Sequence, residues 1–242
     1  MLGHFPTAAG DLVLRRELRH RSDSKYVLPP RAAIELLAHL RHDYAVLPSE
    51  SELLPLYRTL YFDTPELDLF HAHRRGRRVR HKVRIRHYPN RRLSLLEVKT
   101  RQSELETLKV SRSTPYGSDA ITSEDASFVA SRIGIARLVI PQAWTTFRRI
   151  TLLGLHSNER VTLDLELRVE GGHRSRAFDR VVILEVKQWP YSRSTPVMEA
   201  LRRSGRRPGW ASKYCLAIAS TQAGMPVNAF LPGLRLLQRM SG

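Results

Sequence analysis

Between Val79 and Lys99 the chain alternates charged and apolar residues with a period of two. On an extended strand, Arg80, Lys82, Arg84 and Arg86 share one face, and Val79, Val83 and Ile85 lie on the other with His81 and His87. After Pro89-Asn90 the pattern resumes, with Glu97 and Lys99 opposite Leu96 and Val98. This predicts a hairpin that turns around Pro89-Asn90 and carries one densely charged face. Four cations along one strand face repel each other unless something anionic lies across them.

Composition narrows the choice of anion. The chain has 242 residues, enough for one large domain with a real core, and a formal net charge of +17. Such an excess predicts a polyanionic partner: nucleic acid, an anionic membrane surface or phosphate-rich molecules. Cys215 is the single cysteine, which excludes an internal disulfide and a cysteine-based zinc site. It sits in the apolar run Cys-Leu-Ala-Ile-Ala and reads as core. No secretory leader is evident, and no run approaches the roughly 18 apolar residues that span a bilayer, so a cytoplasmic protein is expected. Only six of the forty basic residues are lysines: Lys25, Lys82, Lys99, Lys109, Lys187 and Lys213. Lysine meets phosphate as a compact point charge that arginine does not reproduce. The six lysines in this arginine-rich background are therefore candidates for ligand contact.

The remaining pattern predicts α+β. Strands are expected at residues 25–28, 56–63, 107–112, within 141–153, at 160–169 and at 181–187, with a last apolar strand after Ser212-Lys213-Tyr214. Helices are expected at 31–43, after a proline-rich start, at 123–133 behind a Thr122 or Ser123 cap, and at 196–204. A short helix is expected at 67–72, and Gly171-Gly172 reads as a turn. The tail, residues 226–240, has a weak amphipathic pattern. In 160–169, strict alternation places Arg160, Thr162, Asp164, Glu166 and Arg168 on one face. With about eight strands and helices inserted singly, the sheet is expected to be mostly antiparallel.

Two architectures satisfy this pattern. One is a sandwich with its polar face in water; the other is a closed barrel whose charged faces point inward under a partial cover of helices. Periodicity does not separate them. The mixing of basic rows with Glu97, Asp164, Glu166 and Glu185 on similar faces favours the barrel, whose lumen could hold phosphates on cations and a divalent metal on carboxylates. Walker-type phosphate loops, a strand-following G-x-G-x-x-G, H-E-x-x-H spacing and a G-x-S-x-G elbow are all missing from the sequence.

Several motifs occur in an order that resembles one family. They are Asp23-Ser-Lys-Tyr26, Leu60-Tyr-Phe-Asp-Thr64, Lys82-Val-Arg-Ile-Arg86 with Tyr88, Leu96-Glu-Val-Lys99, Phe147-Arg-Arg149, Arg160-Val-Thr-Leu-Asp164, Leu184-Glu-Val-Lys187 and Ser212-Lys-Tyr214. The chain resembles the VTC domain, the catalytic domain of polyphosphate polymerases, within the triphosphate tunnel metalloenzymes. The resemblance implies an α+β fold with a mostly antiparallel, eight-stranded closed β-barrel, helices outside, over residues 12–220, followed by a tail at 221–242. It implies that Lys82, Arg84, Arg86, Lys99, Arg149, Lys187 and Glu185 carry the reaction. Lys25, Lys109, Arg160 and Lys213 would complete the phosphate-binding lining. Glu185 would be the main ligand of Mn²⁺ or Mg²⁺, helped by Glu97, Asp164 and Glu166, and Tyr26 and Tyr214 would pack near the tunnel mouth. Asp23 stands where the family usually has glutamate, and Phe147 where it usually has tyrosine.

The implied function is a metal-dependent polyphosphate polymerase that moves the γ-phosphate of ATP onto a growing phosphate chain. The alternatives are a tunnel-type triphosphatase and a non-catalytic binder of polyphosphate or nucleic acid. Nucleic acid is disfavoured, because the cations sit on strands beside carboxylates without an aromatic stacking pattern.

Overall fold

The protein is described here from a computed structural model covering residues 2–16, 21–103, 107–134, 138–209, 212–225 and 228–230. In chain order the main elements are α1 (Gly10–Arg15), β1 (Ser22–Leu28), α2 (Pro30–Leu40), β2 (Tyr44–Val46), β3 (Leu56–Asp63), α3 (Asp68–Arg74), β4 (Arg80–Tyr88), β5 (Leu93–Arg101) and β6 (Thr107–Thr114). There follow α4 (Ser123–Ile133), β7 (Ile140–Gly154), β8 (Glu159–Gly171), β9 (Arg174–Phe178), β10 (Val182–Gln188), α5 (Pro196–Arg203) and α6 (Lys213–Thr221). Among the described residues, no helix is long and apolar enough to cross a membrane.

One antiparallel sheet runs in the order β1-β10-β8-β7-β3-β4-β5-β6, with β2 added on β7 and β9 on β8. Its curl is visible in one ion pair. Lys99 of β5 reaches Asp23 of β1 at 3.9 Å, although these strands lie near opposite ends of the order. The expected closure of the barrel is not found: β1 and β6 share no ladder, so the sheet is an open, strongly curled half-barrel. The edges carry Lys25 on one side and Lys109 on the other, and drawing them into a ladder would crowd like charges.

Burial settles which face is the inside. Val83, Ile85, Leu96 and Val98 of β4 and β5, with Leu60 and Phe62 of β3, are buried against Val129 and Ile133 of α4. Each such side chain is worth about 1.5–3 kcal/mol when fully buried, so this face cannot be the wet one. On the same outer face, farther around the sheet, α2 and α5 cover Leu28, Leu152, Val161, Leu163, Leu184 and Val186. The charged faces are left to point inward. Helix α4 begins as its sequence requires: Thr122 accepts from the Asp125 N–H at 3.1 Å, and Gly134 closes it at φ +66°.

Three local expectations are overturned. The last apolar segment is helix α6, not a strand; Ser212 caps it by accepting from Cys215 N–H, and a short apolar run has no periodicity that separates the two states. This helix lies on the concave face, where Tyr214, Leu216 and Ile218 pack on Val27, Tyr61, Ala143, Phe147, Leu167, Val169 and Ile183. Alternation along β8 breaks at Glu166, whose φ is +53°; Arg148 pairs with Leu165 but Thr146 pairs with Arg168, so β8 carries one extra residue. The bulge turns Glu166 and Arg168 out to solvent and brings Leu167 and Val169 in under α6. The sequence pattern of residues 12–20, leucine mixed with arginine, is also compatible with a lead-in to the first strand. Instead Gly10–Arg15 is helical, and 17–20 lie outside the described residues. Of the amphipathic tail, 226–227 and 231–242 also lie outside them.

The bulge makes a prediction. Glu166 is a non-glycine residue held in the left-handed region, and its exposed pairing with Arg148 adds little. Glu166→Gly should leave chemical-denaturation stability unchanged or raise it, whereas Glu166→Val should lower it by about 1–2 kcal/mol.

Candidate functional site

Strand parity assembles the concave face. β1 and β10 contribute Asp23, Lys25, Glu185 and Lys187, with Lys25 directly opposite Glu185. β7 and β8 contribute Arg149 and Asp164 as a register pair, and β8 adds Arg160. β4 and β5 place Arg84 opposite Glu97 and Lys82 opposite Lys99, while Lys109 of β6 faces Lys99. Lys213 comes from the first turn of α6, a position where the helix dipole disfavours a cation. Its pairing with Asp164 offsets that.

Three carboxylates organise these cations, each shared by two of them. Glu97 accepts from Arg84 Nε at 2.6 Å and from Lys109 Nζ. Asp164 accepts a bidentate bond from Arg149 at 2.6 and 2.8 Å and a third from Lys213 Nζ. Glu185 sits between Lys25 at 3.6 Å and Lys187 at 3.4 Å. Burial alone would raise the pKa of each carboxylate. The surrounding cations outweigh it: Arg84, Arg86 and Lys109 hold Glu97 well below the usual range, Arg149 and Lys213 do so for Asp164, and Lys187, Lys25 and Lys99 for Glu185. All three are anions at any working pH.

Three lining cations have no carboxylate within ion-pair distance among the described residues: Lys82, Arg86 and Arg160. Lys82 Nζ donates to Ser212 Oγ at 3.0 Å, and Arg86 Nε donates to Thr59 Oγ1 at 3.3 Å. Burial, reinforced by Lys25, Lys99 and Arg84, pulls Lys82 down to about 7; burial also brings Lys99 and Lys187 to about 8. Burial, with Arg149, likewise lowers Arg160. These groups are charged at a cost that an incoming anion would relieve.

The lining opens into two cavities. One, of about 640 Å³, lies at the β1–β6 seam beside the start of α6 and is lined by Asp23, Lys25, Arg80, Lys82, Lys99 and Ser212 among others. The second, of about 770 Å³, is lined by Tyr57, Arg86, Tyr88, Lys109, Arg149, Arg160 and Lys187. Glu97 and Asp164 each pair with one cation of the larger cavity, Lys109 and Arg149, and Glu185 pairs with one from each cavity, Lys25 and Lys187.

All ten cations singled out from the sequence therefore face one concavity. Arg160 does not pair with Asp164 along its own strand; Arg149 and Lys213 take that carboxylate instead. Tyr214 donates to the buried Asp63 and packs against Tyr61 and His73 near the first cavity. Tyr26 points the other way, into the α2–α5 core with its hydroxyl 3.7 Å from Met198 Sδ, and so is not at the tunnel mouth. Glu166, expected beside Asp164, is on the outer surface because of the bulge. Tyr57 was not singled out from the sequence. Its ring stacks on Phe147 at 5.5 Å and lies under the Arg86 and Arg149 guanidinium groups. Its parity with Thr59 and Tyr61 was readable, but nothing in an uncharged residue marked that face as the lumen.

The carboxylates do not form a ready-made metal cage. No group of three His, Cys, Asp or Glu residues converges among the described residues. The side chains of Glu97 and Asp164 are only 1% and 2% exposed and are engaged by close cation bonds, whereas Glu185 is 16% exposed and its ion pairs are the longest of the three sets. Of the three, Glu185 is the residue that would hold a divalent metal, as a single protein ligand.

The motifs and the geometry agree with a match over residues 20–222 to the model of the VTC domain. The chain belongs to the VTC domain family. No curated protein sequence matches it. Among solved structures, this VTC domain is similar to a Hippeastrum protein described as an adenylyl cyclase with a dominant triphosphatase activity. Identity is 19%, over 86% of this chain and 99% of that one, with a TM-score of 0.53. It is also similar to a Bacillus halodurans protein assigned as an adenylate cyclase, at 12% identity over 80% and 94% of the two chains and a TM-score of 0.54. At these identities the likeness establishes a shared fold.

The depressed lysines give this VTC domain a measurable pH dependence. Their folded pKa values lie below those of an unfolded chain, near 10.4, so above pH 7 the unfolded state binds more protons and stability rises with pH. The Tm of the free protein should climb between pH 7 and 8.5. Lys82→Met should raise Tm by a few degrees at pH 7 and flatten that climb, because it removes a buried cation that lacks a carboxylate; an unchanged or lower Tm would contradict this reading.

Proposed function

We propose that this VTC domain is a polyphosphate polymerase. It would transfer the γ-phosphate of ATP to the end of an inorganic polyphosphate chain, in the cytoplasm, with residues 12–220 as the working unit and 221–242 as an accessory tail. The observation that carries the proposal is the set of cations left over after the three carboxylates are satisfied. Among the described residues, Lys82, Arg86 and Arg160 have no carboxylate within ion-pair distance, and they line the two cavities. A phosphate chain running from one cavity to the other would complete all three, whereas one small anion would complete only one cavity.

The chemistry asked of the protein is positioning and charge neutralisation. Arg149 and Arg84 are locked by their carboxylates, so their outward donors are pre-aimed. Arg86, Arg160 and Lys187 would hold the β- and γ-phosphates in the larger cavity, with Lys109 at its rim. Lys25, Lys82, Lys99 and Lys213 would hold the acceptor. A terminal oxygen of the acceptor attacks the γ-phosphorus, the bond to the β,γ-bridging oxygen breaks, and that oxygen leaves as part of ADP. No protein nucleophile is needed. Mn²⁺ or Mg²⁺ arriving on the nucleotide, with Glu185 as its protein ligand, would supply further neutralisation of charge.

Purified protein given ATP and Mn²⁺ should form ADP and polyphosphate in equal phosphate amounts. Release of orthophosphate without polymer would instead favour a triphosphatase, the activity named for the Hippeastrum protein. Arg160→Ala is the cleanest probe, because it leaves no buried carboxylate unpaired. Activity should fall about 10- to 100-fold for loss of one charge-assisted phosphate contact, with Tm unchanged or higher. Arg84→Ala should fail more broadly, losing Tm as well, since Glu97 then keeps only Lys109. Glu185→Gln should abolish the metal dependence of turnover while leaving metal-free tripolyphosphate binding intact; retained metal-dependent turnover would remove Glu185 from the site.

A further inference from the structure

The basic character of the tunnel continues outside it. Between Asp68 and Glu97 the chain holds ten arginines and lysines and no carboxylate. Lys82, Arg84 and Arg86 belong to the lining, and Arg80 to the rim of the smaller cavity. Arg75, Arg77 and Arg78 have no such role. They are exposed on the turn joining α3 to β4, and no ion pair engages any of them among the described residues.

This turn is held in shape by its backbone. Gly76, at φ +63°, ends α3, and Arg77 N–H reaches back to the Ala72 carbonyl at 3.0 Å. Arg80 then donates to the Arg77 carbonyl at 3.0 Å. Three exposed arginines thus sit within four positions on a backbone of defined shape, a local concentration of positive charge that an anion lying along the turn would offset.

The surroundings connect the turn to the tunnel. Helix α6 fills one end of the concavity with apolar contacts, so the opening beside it is the β1–β6 seam, where the smaller cavity lies. His73 and Arg80, which flank the turn, both line that cavity. The larger cavity shares Arg21 and Thr107 with the smaller one, and its lining differs in including a carboxylate, Glu50, which pairs with Arg91 at 3.5 Å, beside Tyr57 and Tyr88.

We propose that the α3–β4 turn is an external docking track for the polyphosphate chain, which passes out through the seam, crosses Arg80 and lies on Arg75, Arg77 and Arg78. The proposal rests on the polyphosphate reading of the tunnel and assigns the smaller cavity as the chain's exit. Guanidinium groups bind phosphate oxygens through paired N–H donors. Residues 74–80 contain no aromatic ring on which a base could stack, so a bare phosphate chain suits the turn better than a single-stranded nucleic acid.

The test is the triple variant Arg75→Ala, Arg77→Ala, Arg78→Ala, all at exposed positions, with its Tm measured as a folding control. Binding is read for tripolyphosphate, for a polyphosphate of roughly a hundred units and for oligo(dT) of similar charge. Expected are a loss of about tenfold or more for the long chain and less than twofold for tripolyphosphate. The long-chain salt slope should flatten by about two, because each lost phosphate contact removes roughly 0.7 of a released counterion. Equal losses for both phosphates, or none, would overturn the track. Oligo(dT) bound as tightly as polyphosphate and weakened by the same factor would also overturn it, as a general nucleic-acid surface. The tunnel reading is checked separately by tripolyphosphate binding to wild type and to Arg160→Ala, so its failure is distinguishable from failure of the track.

Discussion

The structure depends on how ten inward cations are kept from driving the sheet apart. The answer is a set of three buried carboxylates, Glu97, Asp164 and Glu185, each shared by two cations drawn from different strands or from a strand and α6. A carboxylate between two cations is held ionised despite burial, and it ties neighbouring elements together through charge-assisted bonds. The pairing is incomplete: among the described residues, Lys82, Arg86 and Arg160 have no carboxylate within ion-pair distance. The free protein carries that cost as depressed lysine pKa values, and a phosphate ligand would remove it. On the function proposed above, stability and affinity would be opposed at these three positions.

The same balance explains the open seam. A barrel with a complete ladder would have no edge, but here the edge strands carry inward lysines that crowd on closure. The curl is instead completed by long-range side-chain contacts such as Asp23 to Lys99 at 3.9 Å. With α6 packed into the concave face, the seam becomes the natural way in or out of the smaller cavity. A single extra residue in β8 makes room for that helix: without the left-handed turn at Glu166, Leu167 and Val169 would point outward and be lost from the apolar bed of α6.

Strand parity made most of the site legible in the sequence. Once β4 is a strand, Lys82, Arg84 and Arg86 must share a face, and the burial of Val83 and Ile85 under α4 turns that face inward. The same holds for Glu185 with Lys187 and for Glu97 with Lys99. Parity failed where a backbone irregularity intervened, at Glu166, and where the cue was uncharged, at Tyr57. For Tyr26 parity was right and the resemblance misled: the residue alternates with Lys25 and so had to face the outer helices.

What the sequence determined by itself was the identity and facing of the charged rows, because a period of two is a local property of an extended chain. It also determined the family, through the order of short motifs along residues 20–222. Only the tertiary structure decided which carboxylate meets which cations, that Arg149 rather than Arg160 takes Asp164, that the barrel stays open and that the last apolar segment is a helix inside it. These are matters of register, of one inserted residue and of contacts between elements far apart in the chain. Local spacing carries no information about them, since the free energy that selects them comes from burial and charge pairing across the assembled sheet.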